Sequence, residues 1–181
     1  MVTKYSVNIK SQIFILKELS KRAVVFILGY YLFNYFLHWR HDVVIIIFFV
    51  VGYFVMEVLP SSILHYQYYR YNRHTTLIVN AINKSIVIQE KLEKYEIKVT
   101  QITNIFIALT VGTYEGSNGG WAAWDLYQYA YIDIQDGKRF VISCLLVNDL
   151  WKLFRELGIK ATEVHLVFPT IRWSNKNIAT A

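Results

Sequence analysis

The sequence has a single cysteine, Cys144, in 181 residues. One thiol excludes an intramolecular disulfide framework and a cysteine zinc site, and it fits a reducing compartment. Long runs of lysine or arginine are also missing, although the formal net charge is +6 and the pI about 9.3. Without such runs no nucleic-acid partner is expected. The basic excess reads first as a topology signal and an attraction to anionic lipid. Catalytic motifs are missing too. There is no HExxH, no GxSxG and no pair of carboxylates at a useful spacing. The glycine-rich GSNGG at 116–120 lacks the Lys-Ser/Thr that would follow it in a phosphate-binding loop. These absences point away from an enzyme, with no cofactor and no bound metal expected. Cys144 is expected within an apolar strand as a structural thiol. No internal repeat and no low-complexity tract occurs.

Charge is absent from two neighbouring stretches. Ala23–Leu37 (AVVFILGYYLFNYFL) and Val43–Met56 (VVIIIFFVVGYFVM) carry none, and His38-Trp39-Arg40-His41-Asp42 lies between them. Both are apolar on all faces rather than along one stripe, so they read as a transmembrane helical hairpin over 23–60. Counted as Ala23–Trp39 and Val43–Leu59, each span is roughly 25 Å long, the low end of what crosses a bilayer. Two buried helices of a soluble protein are the other reading. Tyr30, Tyr31, Tyr35 and Trp39 suit the interface, and Lys21 and Arg22 can snorkel. Lys4, Lys10, Lys17, Lys21 and Arg22 precede the first span, only Arg40 lies in the connector, and Arg70 and Arg73 follow the second. The positive-inside rule then puts both termini in the cytoplasm and the connector outside. No small-residue cleavage site follows the first run, which argues against a signal peptide. Glu57, near the inner end of the second span, is expected to pair with Arg22 or Lys21, since an ionisable group at that depth needs a partner. His38, His41 and Asp42 could hold zinc or copper, but a polar turn is the favoured reading.

Met1–Ser20 carries Ile13, Phe14, Leu16 and Leu19 and suits either a short amphipathic helix on the membrane or a frayed terminus. Ser61–His74 (SSILHYQYYRYNRH) is an aromatic, basic collar at headgroup level or a first strand. Thr75–Val79 and Ser85–Gln89 flank an asparagine-rich turn and predict a hairpin. Glu90–Tyr95 turns again, Glu96–Val99 and Thr103–Val111 are strands, and GTYEGSNGG at 112–120 is a flexible loop. Trp121–Gln135 settles into an alternation that marks one long strand, Asp136-Gly137 a two-residue turn, and Arg139–Val147 the returning strand. Leu150, Leu153, Phe154 and Leu157 share one helix face, with Asn148 as the cap, Asp149 favouring the dipole and Gly158 as the stop. Ile159–Phe168 could add a strand, and 169–181 reads as a tail.

Three stretches carry a family resemblance: HTTLIVNAINKSIVIQE after the membrane segment, EIKVTQITNIFI, and YAYIDIQDGKRFVISCLLVNDLWKLFREL. Over residues 23–158 the chain resembles bacterial pleckstrin-homology-like (PH-like) domain proteins with two N-terminal transmembrane helices. The resemblance implies an α+β membrane protein: a two-helix hairpin, then a partly open antiparallel barrel of seven strands at 61–168, capped by a helix at about 148–158. It implies no single function. Phosphoinositide-binding members carry a basic cluster in the first strand-turn. The turn after Thr75–Val79 offers only Lys84, so specific phosphoinositide recognition is not expected.

The expected function is a non-enzymatic adaptor or scaffold at the inner face of a bacterial membrane, with a protein partner. Residues 112–124 and 169–176 are the expected contacts, through Tyr114, Trp121, Trp124 and Trp173. At least one of Trp121 and Trp124 should be exposed. Lys21, Arg22, Trp39, Tyr68, Tyr69 and Arg70 are the expected membrane-interface residues. An inner-membrane immunity protein against a toxin and a lipid-binding membrane protein are the alternatives, and a homo-oligomer is compatible with either.

Overall fold

The computed structural model describes residues 2–37, 43–113, 120 and 122–171. Strand β1 (Val2–Ser6) opens the chain. Helix α1 (Ile9–Leu37) follows, then α2 (Val43–Tyr53), a π-helical turn (Phe54–Val58) and α3 (Leu59–Asn72). Strands β2 (Thr75–Asn80), β3 (Ser85–Glu90), β4 (Glu93–Lys98), β5 (Ile102–Thr110), β6 (Tyr129–Ile134) and β7 (Arg139–Ser143) come next. Helix α4 (Leu150–Leu157) and strand β8 (Thr162–Leu166) complete the described elements. The strands form two four-stranded sheets, in the orders β1-β2-β3-β4 and β7-β6-β5-β8. All pairings are antiparallel except that of β8 with β5, which is parallel. This is an α+β fold, with eight strands among the described residues where the resemblance implies seven.

The turns follow from their residues. Asn83 N–H donates to the Asn80 side-chain oxygen at 3.1 Å, an Asx turn that joins β2 to β3. Lys91 adopts a positive φ of 54°, and β3 and β4 pair up to Glu90 and Glu93. The turn expected over Glu90–Tyr95 therefore shrinks to Lys91-Leu92, and the third strand starts at Glu93. Gly137 supplies the left-handed residue of the expected Asp136-Gly137 turn at φ 81°. The cap of α4 moves by one residue. Asp149, not Asn148, accepts the Lys152 amide at 2.8 Å, and Gly158 ends the helix at φ 71°.

Leu77, Val79, Ile86, Ile88 and Ile97 of the first sheet face Ile105, Ile107, Ala130, Ile132 and Ile142 of the second. Leu150, Leu153, Phe154 and Leu157 of α4 close that core. The expected single strand over Trp121–Gln135 is instead a 3₁₀ turn (Ala123–Leu126) followed by β6. Cys144 lies in the turn after β7 rather than within a strand.

The N-terminal segment departs most from expectation. Val2–Ser6 is neither frayed nor helical. It pairs with β2 from Val2↔Asn80 to Ser6↔Thr76. The helices are thus an insertion between the first two strands, and the β-domain begins before them rather than at residue 61. Phe26–Tyr53, Tyr30–Phe49 and Phe33–Phe49 ring contacts at 5.1, 5.5 and 5.8 Å show α1 and α2 running antiparallel. Among the described residues, one helix, Val43–Asn72, is long and apolar enough to cross a membrane, and only 6% of its most apolar stretch is buried. The second qualifying span of the expected hairpin is not found. In α1 the uncharged stretch contains Tyr30, Tyr31, Asn34 and Tyr35, which lower its hydropathy, and it is preceded closely by Lys17, Lys21 and Arg22.

Ser61–His74 is not a strand over most of its length, because α3 continues the helix to Asn72. Pro60 cannot donate to a carbonyl four residues back and its ring crowds that carbonyl. The π turn takes up the mismatch: Leu59 N–H donates to Phe54 O, five residues back. Leu64 and Tyr68 of α3 then pack against Tyr127, Tyr129 and Tyr131 on the outer face of the second sheet. Tyr68 is 0% exposed, so its expected place at a membrane interface is corrected.

The packing of Tyr68 makes a prediction that thermal unfolding in detergent can check. Tyr68→Phe should cost about 1 kcal/mol, by loss of one hydrogen bond. Tyr68→Ala should cost about 3–5 kcal/mol, by loss of a buried ring. A near-neutral Tyr68→Ala would contradict the buried placement.

Candidate functional site

Two features lie where the inserted helices meet the second sheet. One is a clamp on the glycine-rich loop, and the other is a groove beside α3.

The clamp starts from Glu57, which is buried in the π turn. Its Oε2 accepts the Ala123 amide at 2.7 Å. Asp125, also buried, accepts the Ala122 amide at 2.9 Å and so closes the 3₁₀ turn on itself. Its backbone carbonyl takes a bond from the Thr113 hydroxyl at 3.3 Å, which ties the two ends of the loop together. From α1, the Arg22 guanidinium donates to the Gly120 carbonyl at 3.0 Å. Gly120 is required by close approach, since a Cβ there would run into the Asp125 carboxylate. Arg22 and Glu57, the expected pair, therefore act on the same loop end three residues apart.

Behind the clamp lies a layer of tyrosines. Tyr68 meets Tyr127 and Tyr129 edge-on at 5.3 and 5.8 Å, and Tyr129 meets Tyr131 at 5.1 Å. The chain after β8 crosses this layer as a strap. Tyr68 and Tyr129 hydroxyls donate to the carbonyls of Pro169 and Thr170 at 2.6 and 3.1 Å. The Gln67 amide bonds the Ile171 backbone in both directions. Asn72 treats the β7 edge in the same way, donating to Val141 O at 3.0 Å and accepting from Ser143 N at 2.9 Å. Burial pushes the Tyr127 phenol far above its usual range and the Cys144 thiol up to about 12. A thiol held protonated in this way is a poor nucleophile.

The groove runs between α3 and β7, with a volume of about 800 Å³. Ile63, Tyr66 and Arg70 line it from α3, Glu90 from the end of β3, and Arg139 and Val141 from β7. Arg139 is bonded to both Asp133 carboxylate oxygens, at 2.5 and 2.8 Å, and lies over the Tyr131 ring at 4.9 Å. The Glu90 carboxyl is pushed up by desolvation, with neighbouring Glu93 adding to the shift and Lys91 opposing it.

Of the expected partner-binding residues, only Trp124 is among the described ones, and it is half-buried against the tyrosine layer. Tyr114, Trp121 and Trp173 lie outside the described residues, as do Trp39, His38, His41 and Asp42. Among the described residues no group of three His, Cys, Asp or Glu side chains could hold a metal ion. Lys21 is exposed and pairs with Glu18, while Tyr69 and Arg70 are exposed on α3. Local sequence pattern assigns Glu90 and Arg139 to a turn and a strand and gives neither a place in a site. Reading 61–74 as a helix would have set Ile63, Tyr66, Gln67 and Arg70 on one face and drawn attention to what that face meets.

A family model described as a PH domain matches residues 4–151. The chain belongs to the PH-domain family. The match starts within β1 and runs through both helices, so the family pattern itself spans the insertion. No curated protein and no solved structure matches the chain. In this PH-like domain the first strand-turn is the β1–β2 connection, and the inserted helices occupy it. The turn holding Lys84 is the second.

Removing the Glu57 carboxylate should free the loop. In hydrogen–deuterium exchange, Glu57→Ala is expected to speed exchange at Ala123 about tenfold or more, whereas Glu57→Gln, which keeps an acceptor, should change it far less. Equal exchange in wild type and Glu57→Ala would show that the clamp does not hold the loop.

Proposed function

We propose that the protein is a non-enzymatic, membrane-anchored adaptor. In this reading α1 and the helix Val43–Asn72 cross the membrane as a hairpin, and the PH-like domain sits at the cytoplasmic face of a bacterial inner membrane. The observation that carries the reading is the continuity of that helix. No residue of α2 is buried, yet the same helix ends in the buried packing of Leu64, Tyr68 and Asn72 against the second sheet. An apolar surface of this extent is costly in water and suits lipid. Val24, Val25, Ile27 and Leu28 extend it on α1. Lys17, Lys21, Arg22, Arg70 and Arg73 all lie toward the domain end of the helices, in keeping with the positive-inside rule.

The adaptor contact is assigned to residues 112–124, whose C-terminal end is clamped beside the inner end of the apolar stretch by Arg22 and Glu57. A partner bound there would itself lie at the membrane surface. The groove beside α3 favours lipid binding as a second activity of the same domain.

Labelling of single cysteines in a Cys144→Ser background tests the topology. A membrane-impermeant maleimide on intact cells should label Arg40→Cys, and should label Lys94→Cys only after lysis. Labelling of Lys94→Cys in intact cells, or recovery of the protein free of membranes after a carbonate wash, would sink the reading. Exchanging residues 112–124 for a glycine-serine linker should abolish stoichiometric co-purification of a protein partner while leaving the protein in the membrane.

A further inference from the structure

The groove between α3 and β7 contains two opposite charges that do not meet. Arg70 lies in the last turn of α3, and Glu90 closes β3 opposite Thr75. Neither side chain makes a hydrogen bond or an ion pair among the described residues. Arg139, the other cation in the groove, is already answered by Asp133. Glu90 is partly desolvated, and although Lys91 beside it offsets part of that cost, no cation among the described residues lining the groove makes an ion pair with it. A ligand with an anionic and a cationic group on one short framework would satisfy both residues.

The other end of the groove is apolar and open. Ile63 and Tyr66 are 50% and 66% exposed and stand at i and i+3 on the α3 face that carries Arg70 at i+7. At about 1.5 Å per residue, Ile63 lies roughly 10 Å along the helix from Arg70. Ile63 also follows directly on the apolar stretch of the same helix. The groove is thus graded from apolar at the membrane end to charged at the domain end, and its volume lies within the usual range of small-molecule sites.

We propose that this groove binds a glycerophospholipid whose headgroup carries both a phosphate and a primary ammonium. The phosphate lies at Arg70 and the ammonium at Glu90, and an acyl chain leaves past Tyr66 and Ile63. A guanidinium matches phosphate oxygens with paired N–H donors. A primary ammonium offers three N–H donors to a carboxylate, whereas a quaternary one offers none. The proposal rests on the membrane-anchored reading above. The site lies between the inserted helix and the β7 edge, a surface that exists only because the helices interrupt the domain.

The test uses full-length protein in detergent micelles and short-chain phosphatidylethanolamine, phosphatidylcholine and phosphatidylglycerol as probes, read by the rise in unfolding temperature with concentration. Phosphatidylethanolamine should bind about tenfold tighter than the other two, as loss of one charge-assisted hydrogen bond implies. Arg70→Ala should weaken it by a similar factor, and Glu90→Ala, which leaves no acceptor for the ammonium, should abolish its preference over phosphatidylcholine. Both substitutions sit on exposed side chains, so the unliganded unfolding temperature should hold. Indistinguishable binding of the three lipids, or a preference that survives Glu90→Ala, would overturn the proposal. Free phosphoethanolamine binding as tightly as the lipid would overturn the membrane source of the ligand. A carbonate wash separates the two levels: protein that stays in membranes but shows no headgroup preference defeats this site alone, and protein that washes off defeats the anchoring.

Discussion

Everything in this molecule that bears on function hangs on a helix that does not stop at Pro60. From Val43 the chain is helical to Asn72, and the π turn at Phe54–Val58, closed by Leu59 N–H on Phe54 O, carries the helix past a proline that has no N–H to donate. The apolar half and the buried half of this helix are therefore mechanically joined. Leu64 and Tyr68 lock the second half onto the second sheet, and Gln67 and Asn72 bond to the strap and the β7 edge. A flexible linker would let an anchored domain sample many orientations. Here no such linker separates the two: the apolar half runs on into the half packed against the second sheet.

The insertion explains how such a joint is built. β1 pairs with β2 along its whole length, although the helices lie between them in sequence. The chain thus leaves the domain and returns to it at neighbouring strands, which fixes both ends of the helical unit. In PH domains the first strand-turn is where phosphoinositide-binding members keep their basic cluster. With helices in that place, ligand contacts have to be sought elsewhere, and the structure offers the clamped loop and the α3–β7 groove. Glu57 ties the helical unit to the first of these. It belongs to the helix, but its hydrogen bond is to the loop.

Much of the β-domain was legible from residue pattern. The hairpin over Thr75–Glu90, the Asp136-Gly137 turn and the apolar face of α4 all rest on local signals: alternation, turn chemistry and capping. β1 was not legible, because five residues reading VTKYS show no strong period and their partner is more than seventy positions away. α3 was hidden by composition. Its tyrosines and arginines resemble an interfacial collar, and Pro60 resembles a stop. The tyrosines of β6 alternate as expected, but their burial depends on a helix covering the outer sheet face, which no local pattern announces. For the same reason Glu90 and Arg139 could not be gathered into a site, since they come together only through the position of α3.

The rigid joint between anchor and domain is the central claim, and a distance distribution tests it most directly. Spin labels at Val50 on α2 and at Lys138 in the β6–β7 turn, both exposed, would report on opposite sides of the π turn. In a bilayer nanodisc the account predicts one narrow distribution. A broad or two-peaked distribution would show a hinge at Phe54–Pro60 and contradict it.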